Sequence, residues 1–373
     1  MKRLFVVAPT RRDLLNLADP RLLQRFDLVF EERPGIDGVF GSSDSTAALA
    51  VVVADRLGLP SPGYEAFMRC HDKLVSRRIQ AGVVPEATPR FEPIDAMRPP
   101  DRAPLPYPFF IKPVQGHLSQ HAYRVDSDRR LAEVLATARR AGFRHLIAEQ
   151  LLSGRLVTFE GFMHRGTMTP IGVTDAVMHD NGISFNRFEY PSTLPDRPQQ
   201  AMAGVAARLM PAIGFDQSIF NIEFFVRDDG SVWVVEVNGR MSSQFAPLVR
   251  AVHGVSTYEL QFELAAGCRP TLPPRRDDVV AASFLLRTFE DAVVRSIPDA
   301  APISEAFPGA QVELLVREGQ RLSENDDDVL SHRLAVIALS GPDREALVRR
   351  YQQAVSLLPF ELGPVRVGVP QNS

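Results

Sequence analysis

Two cysteines in 373 residues, Cys70 and Cys268, are too few and too far apart for a disulfide framework, so the chain suits a reducing compartment. No stretch approaches the roughly 18 apolar residues of a membrane span, and the apolar run in MKRLFVVAP is too short for a secretion signal. An excess of one charge is missing as well. The 42 basic and 45 acidic residues leave a net charge of -3, so no global field favours nucleic acid or an anionic membrane. The first strand is not followed by GxGxxG, which removes the usual argument for a dinucleotide site. Repeats and low-complexity segments are absent too. The expectation is a cytoplasmic protein acting on small molecules, without nucleic-acid or membrane partners.

What is present is enough apolar material, 45% of residues, to fill two or three cores. Residues 4–8, 28–30 and 37–40 read as short buried strands, with a helix ending near 21–26. GSSDS supplies caps for a helix over 46–57 that Gly58 and Pro60 stop. This alternation predicts a small open α/β unit. A helix over 64–81 carries HDK at 71–73, and AGVVPEATPRF turns into a strand. The proline-rich stretch 92–108 reads as an extended surface connection, and residues 109–111 as a buried strand ending at Lys112. Helices follow over 128–141, 199–213 and 258–267, with a strand at 145–152 and a hairpin turning at 164–166. The last hundred residues give strands at 281–288, 312–317 and 334–339 and a helix over 343–358 behind Pro342.

The most informative stretch is IFNIEFFVRDDGSVWVVEVNGR, residues 219–240. Two runs rich in β-branched and aromatic residues flank RDDG, which predicts a hairpin. With residues 227–230 as the loop, Val226 faces Ser231, Glu223 lies opposite Val234, and Asn221 lies opposite Glu236. Asn221, Glu223, Glu236 and Asn238 then share one face, with the two glutamates on a diagonal of roughly 7 to 8 Å. Carboxylates that close repel unless one is protonated or a cation sits between them, and a hard oxygen-seeking ion such as Mg²⁺ is the natural remedy. Arg240 offers a guanidinium fork to an anion held by the same ion.

The order Lys73, Lys112, Glu149, Glu223, Glu236, Asn238, Arg240 resembles the ATP-grasp superfamily across most of the chain. The resemblance implies an α/β and α+β fold: a Rossmann-like pre-ATP-grasp domain over 1–63, a nucleotide-binding domain over 64–274 with a central subdomain near 109–152, and a small C-terminal α+β subdomain over 275–373. It implies ATP and Mg²⁺ (or Mn²⁺) as cofactors. Lys73 and Lys112 become phosphate ligands, Glu149, Gln150, Leu151 and Leu152 the adenine hinge, and Glu160 a group near ribose or metal. Glu223, Glu236 and Asn238 become the metal ligands, with Arg240 and Lys112 acting in catalysis. Ser119 belongs to a loop, PVQGHLSQHAYRV, that is expected to close over the triphosphate across 115–122, although Gly116 alone remains of the family's glycines. QVELLVREGQRL and the strand and helix after it resemble the last part of carboxylate-amine ligases of the amino-acid ligase type. That likeness implies small-molecule carboxylate and amine substrates, and allows a homodimer. A biotin-type carboxylase and a nucleotide-binding protein without turnover are the alternatives.

Overall fold

A computed structural model of the chain describes residues 1–31, 35–115, 122–324 and 331–365. The N-terminal unit runs β1 (Lys2–Val6), α1 (Arg11–Leu17), α2 (Pro20–Arg25), β2 (Phe26–Val29), β3 (Gly38–Phe40) and α3 (Asp44–Leu57). Its three strands form a parallel sheet in the order β2-β1-β3. Ser43 caps α3 by accepting a hydrogen bond from Thr46 N, and Gly58 ends it in the left-handed region.

The expected helix over 64–81 is two helices, α4 (Tyr64–His71) and α5 (Lys73–Val83). Asp72 makes the break: its backbone is extended, and its carboxylate accepts from Val75 N at 2.9 Å as the cap of α5. The cap puts Lys73 on the first turn, where its N–H donates to Val114 O. The proline-rich connection also begins later than expected, because β4 (Phe91–Asp95) pairs with β7. Pro93 is tolerated there because β4 is an edge strand. With β5 (Phe109–Pro113), β6 (Tyr123–Val125), α6 (Asp128–Arg140) and β7 (His145–Gln150) it completes a four-stranded antiparallel sheet, β4-β7-β5-β6, with α6 packed into its core.

The third sheet is the largest. It takes β8 (Arg155–His164), β9 (Thr167–Met178) and β10 (Phe185–Tyr190), then, after α7 (Asp196–Ile213), the pair β11 (Ser218–Val226) and β12 (Val232–Asn238). Helices α8 (Ala246–His253) and α9 (Thr257–Ala265) follow, and then β13 (Val280–Thr288). A short β14 (Val293–Ser296), α10 (Ala301–Ala306), β15 (Gln311–Leu314), β16 (His332–Gly341), α11 (Arg344–Ser356) and β17 (Glu361–Gly363) finish the chain. The order is β12-β11-β8-β9-β10-β13-β16-β15. The C-terminal strands therefore extend the same sheet instead of forming a cap of their own, and only β14 and β17 pair separately. The joining strand is β10, whose Tyr190 lies opposite Ala281.

Alternation assigns the faces of β11. Phe220, Ile222 and Phe224 go down into a core with Leu209, Met210 and Val234, while Asn221 and Glu223 go up. The N-terminal unit shares a further core with the large sheet through Leu4, Phe40, Tyr258, Phe262 and Ile219. That packing brings the carboxyl ends of β1 and β3 toward the end of β12.

Candidate active site

The hairpin register differs from the expected one by a turn and a bulge. Arg227 N donates to Ser231 O at 3.0 Å, so the turn is three residues with Gly230 at φ 81°, and Val226 faces Val232. Val235 then has no partner in register, and beyond it Glu223 lies directly opposite Glu236 and Asn221 opposite Asn238. The two shifts add to an even number, so the four residues keep their common face while the glutamates move from a diagonal to a directly opposed pair. On the other side of β11, Glu160 of β8 lies opposite Asn221. Three strands thus present Glu160, Asn221, Glu223, Glu236 and Asn238 on one face.

Burial pushes the Glu223 carboxyl up to about 7, with the Glu236 charge adding to the shift and Arg240, Lys112 and Lys73 opposing it. Glu160 is also raised to about 7 by burial, although Ser242 N donates to it at 3.0 Å. Asn238 Nδ2 donates to Asn221 Oδ1 at 3.0 Å, and Asn221 Nδ2 donates to Arg240 O at 3.0 Å. This relay fixes the Asn238 amide and keeps its Oδ1 as the acceptor. Gly239 lets the backbone pass: a Cβ there would stand 3.1 Å from Phe215 and 3.4 Å from Cys70 Sγ.

Lysines frame the carboxylates from the other elements. Lys73 Nζ lies 3.0 Å from Glu236, and Lys112 Nζ lies 2.6 Å from Glu149, its cross-strand diagonal neighbour between β5 and β7. Glu149 is buried, which by itself would raise its pKa, yet Arg77 and Lys112 hold it down at about 2. Both of its oxygens have cationic partners, Arg77 Nε at 2.7 Å and Lys112 Nζ. Gln150 pairs with Arg90 through its backbone N–H at 2.8 Å. Leu151 and Leu152 follow directly in the chain, both half-buried. Ser119 and most of the expected closing loop lie outside the described residues.

Sequence reasoning missed three neighbours. Arg77 is 3% exposed and donates to Val234 O at 2.9 Å and Val235 O at 2.7 Å, the carbonyls at the bulge, while also holding Glu149. One side chain therefore joins the two sheets. Its signal was its position four residues after Lys73, on the same helix face. Asp44, read only as capping sequence, accepts a hydrogen bond from Arg240 Nε. His71, under its influence and that of Arg240, Glu236 and Lys73, is kept below the usual imidazole range first by burial. Its Nε2 is buried and has no hydrogen-bond partner among the described residues.

Chemically, the arrangement fits a divalent cation delivered with phosphate. No cluster of three His, Cys, Asp or Glu side chains suited to metal occurs among the described residues. Glu223, Glu236 and the Asn238 amide would supply part of an octahedral shell, and Mg²⁺ sites commonly take the remainder from phosphate oxygens and water. No helix among the described residues is long and apolar enough to cross a membrane.

The fold is shared with known proteins. Uncharacterized protein y4rH of Sinorhizobium fredii (strain NBRC 101917 / NGR234) is 26% identical over 368 residues, 96% of this chain and 73% of that protein. The L-amino acid ligase from Bacillus licheniformis superposes with a TM-score of 0.77 at 17% identity, over 98% of this chain and 99% of the other. The biotin carboxylase domain of the Hydrogenobacter thermophilus 2-oxoglutarate carboxylase, solved with MgADP and bicarbonate, gives 0.71 at 14% identity over 97% and 91%. Residues 105–247, which carry Lys112, Glu149 and the whole acidic hairpin, match the ATP-grasp domain, and the chain around them has the fold of these solved structures.

Proposed function

We propose that this protein is an ATP-dependent ligase that activates a substrate carboxylate as an acyl phosphate and joins it to an amine. The observation that carries the reading is the opposed pair Glu223 and Glu236, set between two sheets and framed by Lys73 and Lys112. When bound, ATP supplies the phosphoryl group and Mg²⁺ (or Mn²⁺) the charge that neutralises it. Glu223, Glu236 and Asn238 would hold the cation. Lys73 and Lys112 would turn from Glu236 and Glu149 to phosphate oxygens, each carboxylate meanwhile keeping its lysine desolvated and aimed. With both Glu149 oxygens committed, the adenine falls to the backbone of Gln150, Leu151 and Leu152, and Glu149 becomes a positioning group for Lys112. Arg240 would stabilise the negative charge on the acid and the transferred phosphoryl. Glu160, tied to Ser242 N, would set the segment after Arg240 against the substrate. Ser119 keeps the place in the nucleotide-binding loop that the resemblance implies.

The test is ADP release with Mg²⁺ and pooled amino acids, with hydroxylamine added to trap an acyl phosphate as hydroxamate. Acid-dependent ADP release and hydroxamate are expected. Release that requires bicarbonate and no amino acid would move the reading to carboxylation. ATP binding without release in any mixture would overturn a ligase.

The same pair predicts a pH-dependent stability. A carboxyl raised from 4.5 to about 7 leaves the fold uncharged at Glu223 in acid, and the stability it contributes there is lost as pH rises through 7. In metal-free buffer at pH 8, Glu223→Gln should therefore stabilise the protein by about 2 kcal/mol, with no gain at pH 5. Saturating Mg²⁺ and nucleotide should reverse the order, since only the wild type holds the cation fully. Thermal melts showing equal stability at pH 8 would mean that the pair carries no strain.

A further inference from the structure

The ligase reading leaves the amine without a place. At neutral pH an aliphatic amine arrives as an ammonium ion, so its site must offer a carboxylate that neither metal nor lysine needs. Glu236 faces Lys73, Glu149 is held by Lys112 and Arg77, Glu223 opposes Glu236, and Glu160 accepts from Ser242. Asp44 is different. It opens α3 just beyond the carboxyl end of β3, the end of the strands at which open α/β sheets receive ligands. Asp44 keeps 28% and Arg240 23% of their side-chain surface exposed, so their ion pair can be reached from solvent. His71 lies within reach of the charges of Asp44 and Arg240, and its buried Nε2 has no hydrogen-bond partner among the described residues, which marks a position for a polar group that a ligand brings.

From this arrangement we infer that Asp44 is the docking carboxylate for the ammonium group of the amine substrate, and that docking displaces Arg240 from Asp44. The inference rests on the ligase reading above. The exchange couples the two halves of the reaction through one guanidinium. With the amine absent, Arg240 is neutralised by Asp44. With the amine in place, the ammonium takes over Asp44 and gives it one proton, the freed lone pair attacks the acyl carbon, and phosphate leaves with its charge met by Arg240. The substrate class that follows is a primary amine that is cationic at neutral pH, and neutral nucleophiles gain nothing from Asp44.

The test compares two nucleophiles on one preparation. Amide formation from pooled cationic amines is measured beside hydroxamate formation from hydroxylamine, which is uncharged at neutral pH, in the wild type, Asp44→Asn and Asp44→Glu. In Asp44→Asn the amide rate should fall about 5-fold further than the hydroxamate rate, the upper end for one part-exposed ion pair. Asp44→Glu should restore most of that ratio. Because both rates are read on the same protein, the ratio does not depend on the fraction folded. Equal loss of both activities would overturn the inference and leave Asp44 as a structural partner of Arg240. A wild type that makes no hydroxamate from any acid would overturn the ligase reading, and this inference with it.

Discussion

Glu236→Gln is expected to lower turnover by at least about 10² to 10³-fold, the scale of removing one charge-stabilising group from a preorganised site. The substitution keeps the size of the side chain and its place opposite Glu223, and it removes only the negative charge. Two consequences follow. The cation loses a ligand charge, and Lys73, 3.0 Å away, loses the carboxylate that aims it. Both act in the transition state more than in nucleotide binding, so kcat should fall more than the affinity for ADP. The fold should hold, because Glu236 is partly exposed, and removing one of two opposed charges relieves repulsion. ADP release and nucleotide affinity measured side by side check this, with Glu65→Gln, 85% exposed on α4, as the control that leaves both unchanged. Near-normal turnover in Glu236→Gln would remove the hairpin from the chemistry.

Much of that hairpin was legible because alternation has only two answers. Asn221, Glu223, Glu236 and Asn238 were assigned to one face from their parity, and the turn and the bulge, each moving the register by one, left the parity intact. The register itself was not legible. Whether RDDG closes as a four-residue loop or as a three-residue turn with Gly230 in the left-handed region depends on tertiary twist, and the bulge at Val235 depends on Arg77 being present to take its carbonyls. Arg77 is hidden for the same reason: a buried arginine and a solvated one have the same letter, and only the partners Glu149, Val234 and Val235, 72 to 158 residues away, distinguish them. Strand β10 was missed because FNRFEY, with its bulge at Phe185 to Arg187, breaks the alternation that would announce it. Without β10 the C-terminal strands read as separate, which is why the continuation of the sheet into the C-terminal subdomain was not legible. The break at Asp72 was not legible either, because the residue sits between two helices whose sequences run on as one.

Replacing Arg77 is expected to be the most destabilising single change at the site. Its guanidinium satisfies the Glu149 carboxylate and two main-chain carbonyls at once, and the side chain is buried. Arg77→Met would keep much of the volume and leave Glu149 with Lys112 alone, while Val234 O and Val235 O lose their donors. Breaking a buried pair from one side costs about 3 to 5 kcal/mol, which urea unfolding would register as a large fall in the midpoint. The pH dependence should change with it. In the wild type Glu149 is held at about 2, so its contribution is present above its ordinary value of 4.5 and is lost as pH falls toward 2. In Arg77→Met, burial, which works in the opposite direction, is countered by Lys112 alone, and the acid limb of the stability curve should begin at higher pH. Adding Glu149→Gln should recover part of the loss, because the orphaned charge is then gone, whereas the bulge carbonyls remain unpaired. A double mutant no better than Arg77→Met would assign the cost to the carbonyls, and the arginine would then be first of all the clamp on the bulge that sets Glu223 against Glu236. A loss below about 1 kcal/mol in Arg77→Met, within the range of an exposed ion pair, would show that the two sheets are not joined through this side chain.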